Sequence, residues 1–171
     1  TIFYTLICHI LANGFSSKLS KKLREEKGYV YSVGSHLSSF VDRGLFNISF
    51  STTYKNLQPS LEELLKVLKN FKEGEISEEE IKRAKEQEIL ELVSTAHNPD
   101  SYSFFLARNK QWSQNETLVE CIEKTQKTHS KKLQQTAEEL FKSEKTLLVV
   151  MGDKKLSLEK DCRNLIQKYL G

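Results

Sequence analysis

The chain has 171 residues, 29% of them charged, and a formal net charge of only +3. That length suits one domain with a real core, and so small a charge argues against a nucleic-acid partner. The lysine groups Lys18/Lys21/Lys22 and Lys131/Lys132 read as solvated helix faces. Cys8, Cys121 and Cys162 are far apart and odd in number, so they read as free thiols of a reducing, cytoplasmic setting rather than a disulfide framework. No run of 18 uncharged apolar residues occurs, so no transmembrane segment is expected.

In chain order, residues 1–12 are apolar almost all round, which suits a helix buried against a sheet. Asn13-Gly14 breaks it, and Ser16 or Ser17 is placed to cap a second helix running to about Glu26. Gly28 offers the left-handed position that ends many helices. The period then becomes two: in Leu45–Thr53, Phe46, Ile48 and Phe50 share one face while Asn47, Ser49 and Ser51 share the other. Tyr29–Ser38 is the expected antiparallel neighbour, with a turn near Asp42-Arg43-Gly44.

Helical spacing follows. Ser60 with Glu63 has the form of a capping box above a stripe of Leu61, Leu64, Leu65 and Leu68. Ser77 with Glu80 opens the next helix, whose solvated side carries the pairs Glu78–Lys82 and Glu79–Arg83. Asn98-Pro99 restarts a helix through Phe104, Phe105 and Leu106 to about Trp112. Two more helices are expected at about 117–127 and 130–142. Thr146–Met151 reads as a short buried strand ended by Gly152-Asp153, and Ser157–Tyr169 as a closing amphipathic helix. Many helices and few strands predict an α+β, two-layer domain with a mainly antiparallel sheet covered by helices. Three strands are few for such a sheet, so one more is expected before residue 1, and the chain reads as a fragment.

Zinc hydrolysis needs about three protein ligands and an open position for water. His9, His36, His97 and His129 are isolated from one another, and no His-Glu-x-x-His occurs. His9 reads as a helix residue with a local hydrogen bond and the others as exposed or structural. The expectation is therefore no metal and no other cofactor bound by this chain. Phosphate-loop and dinucleotide-binding glycine patterns are absent too, and no local motif selects a serine or cysteine nucleophile.

Two stretches remain: Ile10-Leu-Ala-Asn-Gly-Phe-Ser-Ser-Lys-Leu19 and Leu23-Arg-Glu-Glu-Lys-Gly-Tyr-Val-Tyr-Ser-Val33. Together they resemble the second-domain signature of the pitrilysin-type zinc peptidases, peptidase family M16, which includes the mitochondrial processing peptidases and insulin-degrading enzyme. Weaker matches follow in order at Glu80-Ile-Lys-Arg-Ala-Lys85 and Val149-Val-Met-Gly-Asp153. There are departures. Leu11-Ala12-Asn13-Gly14 keeps one glycine where the family often has two or three, and Tyr29 stands where an aliphatic residue is commoner. Packing is the expected use of Tyr29, and competition with Tyr31 for a functional contact is the alternative.

The resemblance implies a LuxS/MPP-like metallohydrolase type of fold, with residues 1–171 forming a single C-terminal-type domain that lacks the zinc motif. It implies zinc in a partner domain or subunit, a peptide substrate hydrolysed in a closed chamber, a zinc-bearing N-terminal domain as partner, and a dimer in the full-length form. It also assigns Arg24 and Tyr31 to substrate binding and transition-state support, completing a site in another domain. The residue types fit that work: a guanidinium is a rigid five-donor fork for carbonyls or carboxylates, and a phenol donates to an oxygen gaining negative charge. The bland alternative pairs Arg24 with a surface acid and packs Tyr31 into the sheet. At the level of the protein, the alternatives are a noncatalytic structural or partner subunit of the same fold, or an isolated peptide-binding module.

Overall fold

The computed structural model describes residues 2–40, 43–111, 115–152 and 159–171. Its centre is α1 (Ile2–Leu11), in which the consecutive residues Leu6 to Leu11 are all buried. A helix without an Asp, Glu, Lys or Arg has no face suited to water. It is therefore packed against elements on several sides: a sheet strand and three helices introduced below.

The sheet among the described residues is one antiparallel hairpin, β1 (Val30–Ser39) and β2 (Gly44–Thr52). The register pairs Val33 with Phe50, Ser35 with Ile48 and Leu37 with Phe46. One face of the hairpin thus carries Val33, Phe46, Ile48 and Phe50 onto the helical core, with the Phe46 ring edge-on to Phe141 at 5.6 Å. The other face, with Ser32, His36, Asn47, Ser49 and Ser51, is exposed. This is the alternation that the two-residue period demands. At the turn, the Phe40 N–H donates to the Arg43 carbonyl at 2.8 Å, while Asp42 lies outside the described residues.

The helices α2 (Leu57–Lys72), α3 (Glu78–His97), α4 (Pro99–Gln111), α5 (Leu118–Gln126), α6 (Ser130–Leu140) and α7 (Glu159–Leu170) complete the second layer. α1 packs on β1, α3, α5 and α6, and α2 packs on α6 and α7. Leu61, Leu64, Leu65 and Leu68 form the buried stripe of α2 as expected, joined by Phe71. At α3 the Ser77–Glu80 capping box closes in both directions, at 3.2 and 2.9 Å. Asn98 caps α4 by accepting the Ser101 N–H at 2.9 Å. A second complete box, Thr117 with Glu120, opens α5 and was not anticipated. Within the described residues no helix is long and apolar enough to cross a membrane.

Three expectations are corrected. Ser60 does not cap α2, because the helix already begins at Leu57; the buried hydroxyl instead donates to the Asn56 carbonyl at 2.6 Å. Glu63 pairs with Lys66 at 2.8 Å rather than closing a box. Neither Ser16 nor Ser17 caps the second helix, since the Ser17 hydroxyl turns back to the Gly14 carbonyl at 2.8 Å. Finally, Thr146–Met151 is not in a sheet and is mostly exposed: Leu147 is 84% and Met151 92% exposed, and Leu148 is half-buried against the core. β-Branched and apolar residues make a strand only where a neighbour supplies hydrogen bonds and a face to pack on, and no described strand lies beside this segment. Trp112, Asp153 and Ser157, which marked expected boundaries, lie outside the described residues.

The inner hairpin face yields a stability test. Ile48→Ala should lower the unfolding free energy by about 1–3 kcal/mol, the lower part of the core range because the residue is half-buried. Asn47→Ala on the opposite face should stay within about 0.5 kcal/mol. Urea unfolding of the two variants reads the difference, and equal effects would mean the faces are assigned wrongly.

Candidate functional site

The route from α1 to β1 builds the first constellation. The Cys8 carbonyl accepts from the N–H groups of Ala12 and Asn13 at 3.0 and 3.1 Å, which ends α1. The same carbonyl accepts the Ser35 hydroxyl at 3.2 Å, and Asn13 Oδ1 accepts the Ser35 N–H at 3.3 Å. The turn at Asn13–Gly14 is therefore tied to the middle of β1. Gly14 sits at φ +91°, a conformation that glycine adopts without strain.

Beyond that turn the chain winds into a π-helical segment, Ser20–Glu26, that buries Ser20 and Leu23 and holds Arg24 on its exposed side. The Lys27 N–H reaches back five residues to the Lys22 carbonyl at 3.2 Å, and the Tyr29 N–H reaches Leu23 at 2.9 Å. Such widened turns are uncommon and concentrate at functional sites. Gly28, at φ +61°, then reverses the chain into β1.

A β-bulge follows at once. Val30 pairs with Thr52 and Ser32 with Ser51, so Tyr31 is the extra residue. The bulge lets Val30 and Val33 both face the core while Tyr31 and Ser32 both face out. Bulges re-aim side chains in this way. Tyr29 is left half-buried against the core, the packing role expected of it, and Tyr31 is 84% exposed.

Both residues singled out by the sequence thus reach solvent, and neither follows the bland alternative. Tyr31 does not pack in the sheet. Arg24 makes no ion pair among the described residues; its guanidinium lies over the exposed Phe15 ring at 5.5 Å, a cation–π contact that leaves its N–H fork available. The two side chains do not bond one another. They present a five-donor cation and a phenol near a glycine-hinged junction, beside the polar outer face of the hairpin.

A second constellation has no local sequence signal. His9, expected to bond locally, instead reaches Glu88 on α3, with Nε2 to Oε2 at 3.1 Å. Glu91, three residues further along the same face of α3, brings a carboxylate oxygen to 3.9 Å from that nitrogen. His9 and Glu88 are buried and Glu91 is exposed. The three offer ligand atoms that all lie within 4.8 Å of one another. His36, His97 and His129 are exposed, as expected.

Cys8, Cys121 and Cys162 are free and buried. Burial pushes all three thiols up from their ordinary range, and the Glu88 carboxylate adds to the effect at Cys8 and Cys121. A neutral buried thiol is a poor nucleophile, so the cysteines offer no catalytic alternative.

The described fold defines the class: an α+β domain in which an antiparallel hairpin packs on a helical layer. The family model described as the peptidase M16 inactive domain matches residues 2–88, and the chain belongs to that family. An uncharacterized zinc protease of Rickettsia bellii is 38% identical over 82 residues, 48% of this chain and 20% of the relative. An uncharacterized zinc protease of Bacillus subtilis is 27% identical over 143 residues, 83% of this chain and 35% of the relative. The solved peptidase M16 inactive domain from Pseudomonas fluorescens superposes with a TM-score of 0.69 at 20% identity, covering 79% of this chain and 32% of that one. The chain therefore spans about a fifth to a third of the length of the relatives it matches.

The junction itself can be tested. A Cβ at Gly28 would meet no atom within 4 Å, so the penalty of Gly28→Ala is conformational alone. It should be about 1–2 kcal/mol, with Gly28→Asn costing less because asparagine tolerates the left-handed region better. Thermal unfolding of the pair distinguishes them, and an alanine variant as stable as wild type would show that the positive φ is not required.

Proposed function

We propose that this chain is the substrate-binding domain of an M16-type zinc metallopeptidase, completing with Arg24 and Tyr31 a site whose catalytic zinc is held in a partner domain or subunit. The observation that carries the reading is the exposed Tyr31 on a bulge, seven residues after an exposed arginine without an ion pair among the described residues. A bulge, a π-helical segment and a left-handed glycine set the two side chains toward solvent. The names of the relatives, zinc proteases in two organisms, support the same reading.

The chemistry follows from the groups. When bound in the partner domain, zinc would supply Lewis-acid activation of the attacking water. The Tyr31 hydroxyl donates a hydrogen bond to the scissile carbonyl oxygen and strengthens it as charge develops there. The Arg24 fork holds a neighbouring carbonyl or a terminal carboxylate and fixes the register of the peptide. The outer hairpin face, with Ser32, His36, Asn47, Ser49 and Ser51, offers polar groups along one wall of the chamber. In this scheme the catalytic zinc that activates water lies in the partner, so the chain by itself does not hydrolyse peptides.

In the enzyme assembled with its zinc-bearing domain, Tyr31→Phe should keep the fold and lower kcat/KM by roughly 10²-fold, as for a lost oxyanion donor. Arg24→Lys should raise KM, because a point ammonium cannot reproduce the planar fork. Steady-state kinetics beside melting curves give the answer. Wild-type kinetics in both variants would transfer the chain to the noncatalytic, structural reading.

A further inference from the structure

We propose that His9, Glu88 and Glu91 form a binding site for a zinc-class divalent cation, held entirely by this chain's own residues and joining α1 to α3.

The geometry is the first argument. Zinc bound at 2.0–2.2 Å by tetrahedrally arranged nitrogen and oxygen ligands sets neighbouring donors about 3.3 Å apart. His9 Nε2 stands 3.1 Å from Glu88 Oε2 and 3.9 Å from Glu91 Oε2. A rotamer adjustment of Glu91, the exposed member, brings the longer distance to that spacing. Glu88 and Glu91 are one helical turn apart on α3, and α1 packs directly against that helix, so the backbone already holds the three ligands facing one another.

Electrostatics is the second argument. Two carboxylates converge on a single imidazole nitrogen, which can donate at most one proton. At 3.9 Å, Glu91 Oε2 is beyond hydrogen-bond reach of that nitrogen, while Glu91 Oε1 accepts from the Gln87 amide at 3.4 Å, so the His9–Glu88 hydrogen bond uses only one of the two carboxylates. The side chains of His9 and Glu88 are only 2% and 10% exposed, and a buried carboxylate beside a like charge is costly. A divalent cation neutralises both carboxylates at once.

Access is the third argument. His9, Glu88 and Glu91 line a cleft of about 1050 Å³ between α1, β1, α3 and α4. Three protein ligands with the remaining position open to such a cleft leave room for water or a small ligand on the metal. A site with one imidazole and two carboxylates suits zinc and its first-row neighbours, with affinity rising along the series toward copper and zinc.

The test uses the chelator-stripped, untagged protein and does not depend on peptidase activity. Cobalt(II) is titrated as a spectroscopic probe, and zinc(II) is followed by calorimetry and by the melting temperature. One equivalent should bind, cobalt should give the intense visible bands of a four- or five-coordinate ion, and zinc should displace it and raise the melting temperature. Glu91→Gln, whose side chain is exposed, should retain the fold and weaken zinc by at least about 10–100-fold, the usual effect of losing even a second-shell partner. Glu86→Gln, an exposed acid of the same helix, should bind as wild type. His9→Gln and Glu88→Gln should abolish the cobalt bands wherever their melting curves show a folded protein. Absence of stoichiometric uptake overturns the proposal. So does uptake that survives unchanged in Glu91→Gln, because that pattern belongs to surface histidines.

Discussion

The structure depends on the burial of α1. Leu6 to Leu11 form an unbroken run of buried residues, so the helix cannot lie on a surface and must be walled in. β1 closes one side, while α3, α5 and α6 close others. Each consequence follows from that demand. The hairpin presents Val33, Phe46, Ile48 and Phe50 because a sheet face must cover the helix. The polar side chain at position 9 is carried inside with its neighbours and has to find its partner on α3.

The same demand organises the exposed junction. Since α1 is internal, its exit is fixed by the Cys8 carbonyl, Asn13 and Ser35. The chain must return to the sheet within a few residues of the π-helical segment. Gly28 makes that reversal, and the bulge at Tyr31 restores the inward phase of Val30 and Val33. One extra residue keeps the core packed and pushes an aromatic side chain into solvent. The exposure of Tyr31 is a direct product of how the backbone accommodates its core, and the proposed contact with substrate uses it.

Features carried by short-range pattern were legible in the sequence. Alternation gave the hairpin its correct face, and Ser77–Glu80 and Asn98–Pro99 marked helix starts because caps act over three or four residues. Ser60–Glu63 has the same local form and misled, since the helix starts at Leu57 and Ser60 lies within its first turn and a half. Thr146–Met151 misled for a different reason: an apolar stretch becomes a strand through its neighbours, which composition does not encode. The Arg24/Tyr31 junction was visible as a motif, but the bulge that separates Tyr31 from Tyr29 is a register property of two strands. His9, Glu88 and Glu91 were invisible as a group because 79 residues separate the histidine from its first carboxylate. Only the packing of α1 on α3 joins them.

The central claim is that a bound peptide touches the Arg24–Tyr31 junction. The most direct measurement is photo-crosslinking in the enzyme assembled with its zinc-bearing domain. The probe is a non-cleavable peptide carrying a photoreactive group beside the scissile position, and the labelled residues are read by mass spectrometry. The account predicts labels within residues 24–34, competed away by excess unlabelled peptide. Labels confined to the zinc-bearing domain, or to the helical side of this chain remote from the junction, would contradict it.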